Sequence, residues 1–277
     1  MDYFEFKPHP ELAKYVECYW YAFSTRPPFR DRENLIPDGT IECLFNFGDN
    51  YSQVVDETQN TIKGSHVIGI RKQSLIISQT GKQHFFCIRF RLGGTYPFFR
   101  VPANLFANSF HSAADLFGKK ITELEQRLYS AQDNAARVGI TDQFLLSMLD
   151  STIYEVQFAE KCVPALLASG NVRQTLKDFN VTYKTLERRF NGILGINPTE
   201  LIKIKRFNKA VHTMYSCRYE SLTSIGHACG YYDQSHFIRE FKQLTGFTPR
   251  DFLKEQFTIV QVIQPALAQR LSKSYNL

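Results

Sequence analysis

The sequence predicts an α+β chain in two parts: an antiparallel, β-rich N-terminal domain, then helices that end in two helix-turn-helix units. Three observations carry this. Short runs of alternating apolar residues, broken by turn residues, fill the chain as far as Phe110, the pattern of half-buried antiparallel strands. From Ala113 the apolar spacing lengthens to that of a helix. Near the C-terminus one stretch occurs twice, with matches at too many positions for chance.

The second copy runs from Leu222 to Phe252, LTSIGHACGYYDQSHFIREFKQLTGFTPRDF. Leu222, Ile225, Ala228 and Cys229 have helical spacing, and Gly230 supplies the left-handed conformation that ends a helix. Asp233 caps a second helix, in which Phe237 and Phe241 share the inward face. Gln234, Ser235, His236, Ile238 and Arg239 then point outward or sideways. A helix, a tight turn and a helix with a polar outer face make a helix-turn-helix, and that outer face suits the major groove. In the first copy, fifty-one residues earlier, Phe190, Gly195 and Pro198 stand for Phe241, Gly246 and Pro249. Leu186 stands for Phe237, Arg188 for Arg239, and Thr182 is the cap. The units span about 171–190 and 222–241. Between them a helix over 200–215 carries Leu201, Ile204, Phe207, Val211 and Met214 on one stripe. Asn197-Pro198-Thr199-Glu200 opens that helix with a cap, a proline and an acid, and Thr248-Pro249-Arg250-Asp251 repeats the device.

Two such units joined by one long helix, with GYYDQSHFIREFKQLTGFTPRDF in the second, resemble the AraC family of bacterial transcription regulators over about 160–255. Gly230, Asp233, Ser235, Phe237, Arg239, Phe241, Lys242, Gly246 and Pro249 fit the family pattern; Gly226 departs from it, since alanine is usual there. The resemblance implies a DNA-binding transcription regulator of the activator kind. Its partners would be double-stranded DNA, a small-molecule effector, a second copy in a homodimer, and RNA polymerase. It places Tyr183, Lys184, Glu187 and Arg188 of the first unit on the groove-facing side, with Gln234, Ser235, His236 and Arg239 of the second. Glutamine pairs bidentately with adenine and arginine with guanine; Glu187 either accepts from cytosine or pairs with Arg188 or Lys184. Arg173, Thr182, Lys203, Lys205, Arg206 and Lys242 are the phosphate candidates, which position the domain without reading sequence. The two recognition helices would enter successive major grooves, about 34 Å apart.

From the N-terminus, Pro8 and Pro10 precede a brief helix with Leu12, Tyr15, Val16 and Tyr19 on one face, and Trp20 to Phe23 read as a strand. A charged loop over 26–33 and the turn Ile36-Pro37-Asp38-Gly39 follow. In the strand over 40–47, Ile41, Cys43, Phe45 and Phe47 alternate with Glu42, Leu44 and Asn46. Further strands are expected at 61–63, 66–70, 75–78 and 84–91. In the last, Phe86, Ile88 and Phe90 face one way and Cys87, Arg89 and Arg91 the other. Residues 96–110 read as an irregular aromatic connection, followed by helical periodicity through Ile121, Leu124, Leu128, Phe144, Leu145 and Leu149. The segments YVECYW, IPDGTIECLFNFGD and IRFRLGGTYPFF resemble a cupin-like sensor domain that recurs before AraC-type DNA-binding domains.

The expected division is a β-rich sensor at 1–112, a helical connector or dimerisation segment at 113–155, the DNA-binding domain at 156–256, and a tail at 257–277 with a short apolar strand at its start. The duplicated helices should supply their own core from about residue 155 onward. Charge supports the division, because residues 171–254 hold 14 Lys+Arg against 7 Asp+Glu, whereas 1–170 hold 17 against 19. The excess of cations therefore sits where phosphates would be met. Six cysteines show no CxxC and lie in apolar runs, so buried reduced thiols are expected. No stretch is long enough to span a membrane and no apolar leader is seen, which points to the cytoplasm.

No catalytic constellation is legible. His9, His66, His84 and His111 lack metal-ligand spacing, and neither a phosphate loop nor a GxSxG elbow is present. The chain is therefore expected to be no enzyme and to hold no metal or cofactor. The alternatives are a cupin-like small-molecule enzyme and a ligand-independent architectural DNA binder. For an effector, Trp20, Arg89 and Arg91 are the candidates, against the plainer readings that the arginines point to solvent and Trp20 fills the core.

Overall fold

The computed structural model describes residues 2–25, 32–216 and 221–254. In chain order its strands are β1 (Asp2–Phe6), β2 (Val16–Ser24), β3 (Arg32–Leu35), β4 (Ile41–Asn46), β5 (Tyr51–Val55), β6 (Thr58–Ile62), β7 (His66–Ile68), β8 (Leu75–Ser78), β9 (Gln83–Phe90) and β10 (Phe110–Ser112). They form two antiparallel sheets, β1-β2-β9-β4-β7-β10 and β3-β8-β5-β6. The helices are α1 (Tyr96–Phe99), α2 (Ala113–Phe117), α3 (Lys119–Tyr129), α4 (Asn134–Met148), α5 (Tyr154–Ser169), α6 (Val172–Asp178), α7 (Tyr183–Leu194), α8 (Pro198–Ser216), α9 (Leu222–Ala228), α10 (Gln234–Thr245) and α11 (Pro249–Lys254).

The larger sheet is apolar on both faces. Tyr19, Ile41, Phe45, Phe86, Ile88 and Phe90 pack toward the helices, against Ile121, Leu124, Leu128 and Leu145. Trp20, Leu44, Phe85 and Cys87 pack toward the smaller sheet, against Leu35, Tyr51, Leu75 and Ile77. The expected strand periodicity holds, but neither face of β9 meets solvent over most of its length. Other local expectations are corrected. The predicted N-terminal helix is only a single turn of 3-10 helix, Pro10–Leu12, and Val16 to Tyr19 belong to β2. Their partners are β9 on one side and β1, an unforeseen strand, on the other. β5 was also unforeseen; its Ser52 and Gln53 are half-buried and break the apolar pattern. The connection over 96–110 contains α1 and a turn of 3-10 helix, Ala103–Leu105. The segments 26–31 and 255–277, with Cys217, lie outside the described residues; the other five cysteines are buried and reduced.

The first helix-turn-helix unit does not have a core of its own. Leu186, Phe190, Ile193, Leu194 and Ile196 join the same apolar cluster as Leu12, Tyr15, Phe90 and Phe98 of the β domain. Gly195, at φ +77°, sits so close that a β-carbon there would lie 2.9 Å from the Ala103 carbonyl oxygen. The second unit builds a separate core, mostly from its own Phe207, Val211, Met214, Ile225, Phe237, Phe241 and Phe252. The expectation of a self-sufficient core from residue 155 therefore fails for the first unit, and the core of the second also takes in Ile36 of the β domain.

Candidate nucleic-acid interface

Both units are built by the devices their sequences announce. In the second, the Ser221 hydroxyl accepts from the Ser224 amide at 3.1 Å and opens α9. Gly230, at φ +83°, closes it, with the Tyr231 amide donating back to the Gly226 carbonyl at 2.9 Å. The Asp233 carboxylate accepts from the His236 amide at 2.6 Å and starts α10. Phe237 and Phe241 anchor α10, with the Phe241 ring centroid 5.1 Å from that of Phe207 and 5.2 Å from that of Phe252. In the first unit Asn171 caps α6, Thr182 caps α7, and Gly195 closes α7. Asn197 and Glu200 exchange bonds of 2.8 and 2.9 Å as the capping box of α8.

This anchoring decides what faces out. Tyr183, Lys184 and Arg188 on α7 are exposed, as are Gln234, Ser235 and Arg239 on α10. Arg188 and Arg239 make no hydrogen bond or ion pair among the described residues, so both guanidinium forks are available to a ligand. Glu187 is half-buried. His236 is half-buried too, its ring edge-on to Tyr231 and its Nε2 3.7 Å from the Glu240 carboxylate. The Gln234 side-chain oxygen accepts from the Thr223 hydroxyl at 2.8 Å, so α9 orients the side chain that leads α10. Thr223 was not singled out in the sequence, nor was Tyr232, which precedes the Asp233 cap and is 86% exposed. A large aromatic residue next to a helix cap was the available signal for Tyr232.

The phosphate candidates divide. Arg173, Lys203, Lys205 and Lys242 are exposed. Arg206 is not available: its guanidinium donates three bonds of 2.5–3.1 Å to Glu240 and lies 4.4 Å from the centre of the Tyr231 ring. Glu240 is only 5% exposed and needs a counter-charge, which Arg206 supplies, tying α8 to α10. The Thr182 hydroxyl accepts from the Thr185 amide and donates to the Thr185 hydroxyl.

The effector candidates are also re-placed. Arg89 is fully buried and points not to solvent but to Glu42, its direct cross-strand partner, with Nε 2.9 Å from the carboxylate. The Trp20 indole donates to the same carboxylate at 3.0 Å. Burial pushes the Glu42 carboxyl up, but Arg89 and Arg71 outweigh it and hold the group below the usual carboxylate range. The charge of Arg89 is thus spent inside the protein. Arg91, by contrast, borders an open cleft of about 660 Å³ with Lys14 and Glu17 of the β domain, Val163 and Leu167 of α5, and Lys205 of α8. His66 is buried against Tyr51, and burial lowers its imidazole to about 4. Among the described residues no group of three or more His, Cys, Asp or Glu side chains is placed to hold a metal ion, and no helix is long and apolar enough to cross a membrane.

Residues 176–255 match a family described as a helix-turn-helix domain, the AraC type. The C-terminal region carries a helix-turn-helix domain of the AraC type. Its AraC-type domain is 28% identical over 85 residues to the HTH-type transcriptional activators RhaS of Salmonella paratyphi B and Salmonella newport. The match spans 31% of this chain and 30% of the length of those relatives. Residues 4–112 match a domain of unknown function (DUF6597), a cupin-like family. Among solved structures, ToxT from Vibrio cholerae aligns over 85% of this chain and 97% of its own, at 9% identity and a TM-score of 0.46.

Proposed function

We propose that the chain is a sequence-specific transcription regulator that reads two successive major grooves with α7 and α10 and answers to a small-molecule effector. One observation carries the reading. Two caps, repeated fifty-one residues apart, present equivalent arginines, Arg188 and Arg239, exposed and unengaged on helices whose opposite faces are locked into apolar cores. Tyr183, Lys184, Gln234 and Ser235 complete the base-reading edge, with Glu187 and His236 at its margin. Arg173, Lys203, Lys205 and Lys242 supply phosphate contacts, and Tyr232 is added to them. A second copy in a homodimer and RNA polymerase are the further partners proposed, and work on DNA accords with a cytoplasmic protein. A chain of this kind is no enzyme. The cleft beside Arg91 is the place for an effector, because the β domain, α5 and α8 all line it.

The test starts with selection of binding sites from random duplexes. Arg239→Ala and Arg188→Ala should each weaken binding to the selected site by about 1–3 kcal/mol and leave binding to random duplex almost unchanged at the same salt. An equal loss on both duplexes would move these residues to the phosphate class. Wild-type protein that enriches no sequence at all would end the reading.

A further inference from the structure

Among the described residues the β domain holds α5, where the Tyr15 hydroxyl donates to the Glu160 carboxylate at 2.8 Å, and it touches the two helix-turn-helix units and α8 at three places that lie away from the reading edge. At the C-terminal end of α7, Ile193 and Leu194 pack over Gly93, and Gly195 packs against Ala103. At the C-terminal end of α10, the Leu244 carbonyl accepts from the Ser74 amide at 2.8 Å and from its hydroxyl at 3.2 Å. Between them, the Asn208 amide of α8 donates to the Asp38 carbonyl at 3.1 Å, and Lys72 pairs with Glu200 at 3.2 Å. Ile36 joins the core of the second unit beside Phe207.

Two β-domain loops make the contacts with α8 and α10, and one side chain fastens those loops together. Arg71 is wholly buried. Its Nε donates to the Ile36 carbonyl at 2.9 Å, one Nη pairs with the Asp38 carboxylate, and the other lies 3.9 Å from Glu42. Loops 36–39 and 71–74 therefore move as one block. A buried charge held by an acid and a carbonyl is costly to separate from them, so the block is stiff.

We infer that Arg71 is a positioning residue for DNA recognition: through loops 36–39 and 71–74 it fixes how the two recognition helices are turned relative to each other. The inference rests on the DNA-binding reading above. The helix α8 sets the distance between the units, but one helix does not fix the roll of each unit about its own attachment. The β domain supplies the missing constraint, because it grips α7 and α10 at the same, C-terminal end and leaves the exposed residues of their first turns untouched. Reading two successive grooves on one DNA face requires both distance and roll. A rigid frame is what confers intolerance to changes in half-element spacing.

The experiment uses the full chain and a site selected from random duplexes, with variants Arg71→Met and Asn208→Ala. Asn208→Ala leaves every buried charge in place and guards against an Arg71→Met protein that does not fold. Affinity is measured on the selected site and on copies in which the two half-elements are moved apart in single steps up to half a helical turn, about 5 base pairs. Wild type should lose on the order of tenfold or more on the displaced sites, the worth of a lost bidentate base contact. Both variants should show a flattened spacing profile, while their affinity for one isolated half-element stays at the wild-type value. A folded Asn208→Ala protein with the wild-type spacing profile overturns the proposal, as does a wild-type protein indifferent to spacing. A wild-type protein that selects no site removes the DNA-binding reading first and this inference with it.

Discussion

Replacing Arg89 by methionine should be the most damaging single change in the β domain. Arg89 stands directly opposite Glu42 between β9 and β4, and the Glu42 side chain is 1% exposed. Removing one partner of a buried pair costs about 3–5 kcal/mol, because the other charge is left without solvent. Glu42 would keep the Trp20 indole at 3.0 Å and Arg71 at 3.9 Å, which argues for the lower end, about 3 kcal/mol. In a chain of this size that lowers Tm by roughly 6–12 °C. The pH dependence gives a sharper signature. In wild type the folded Glu42 carboxyl lies below its unfolded value. Its contribution to stability is therefore complete above the unfolded value, about 4.3, and lost as pH falls through the folded one. In the variant burial is weakly opposed and the carboxyl rises above the unfolded value, so its contribution is present at low pH and lost as pH climbs. The deficit of Arg89→Met against wild type should accordingly shrink between pH 7.5 and about pH 5, as read by urea denaturation of both proteins. Glu42→Leu combined with Arg89→Met should recover most of the loss. A deficit that ignores pH, or one below about 1 kcal/mol, would refute the argument that the charge of Arg89 is committed to Glu42.

Other outcomes follow from the second unit. Gly226 lies inside α9, and a β-carbon there would meet Phe237 at an ordinary 3.4 Å. Gly226→Ala should stabilise by about 0.5–1 kcal/mol, measured as a rise in Tm; a fall would show that Phe237 has no room to give. Arg206→Met strands the buried Glu240 and should destabilise the unit by about 3 kcal/mol, abolishing DNA binding at every salt concentration. Lys203→Ala should leave stability alone and reduce the slope of log affinity against log salt by about one. Should Arg206→Met behave as Lys203→Ala does, Arg206 is a phosphate contact after all.

The second helix-turn-helix was legible almost residue by residue, because caps, glycine turns and the Pro249 start are local devices whose chemistry is written in adjacent letters. The β strands were legible where apolar residues alternate, as in β4 and β9. They were missed where half-buried polar residues break the pattern, as in β5, or where an exposed edge strand such as β1 has no such pattern. Arg89 was misread for a physical reason. An arginine on one face of a strand ordinarily marks solvent, and only the register that sets Glu42 opposite it reveals an internal pair. The pairing of Arg206 with Glu240 was not legible either, since the two are distant in sequence. The contacts between Ser74 and Leu244, and between Asn208 and Asp38, join residues far apart along the chain and leave no pattern in it.

The apolar surface of α8 is split between two bodies. Leu201 and Ile204 lie in the cluster that includes the β domain, and Phe207, Val211 and Met214 lie in that of the second unit. A hybrid made by joining this β domain to a foreign helix-turn-helix pair at a border ahead of residue 171 would strip Leu12, Tyr15, Phe90 and Phe98 of the side chains of Phe190, Ile193 and Leu194 that share their core. The exchangeable parts are instead unequal: the β domain travels with the first helix-turn-helix, and the second is the cartridge. A splice within α8 between Ile204 and Phe207, kept in helical register, is where a second unit can be exchanged, provided the new unit again covers Ile36.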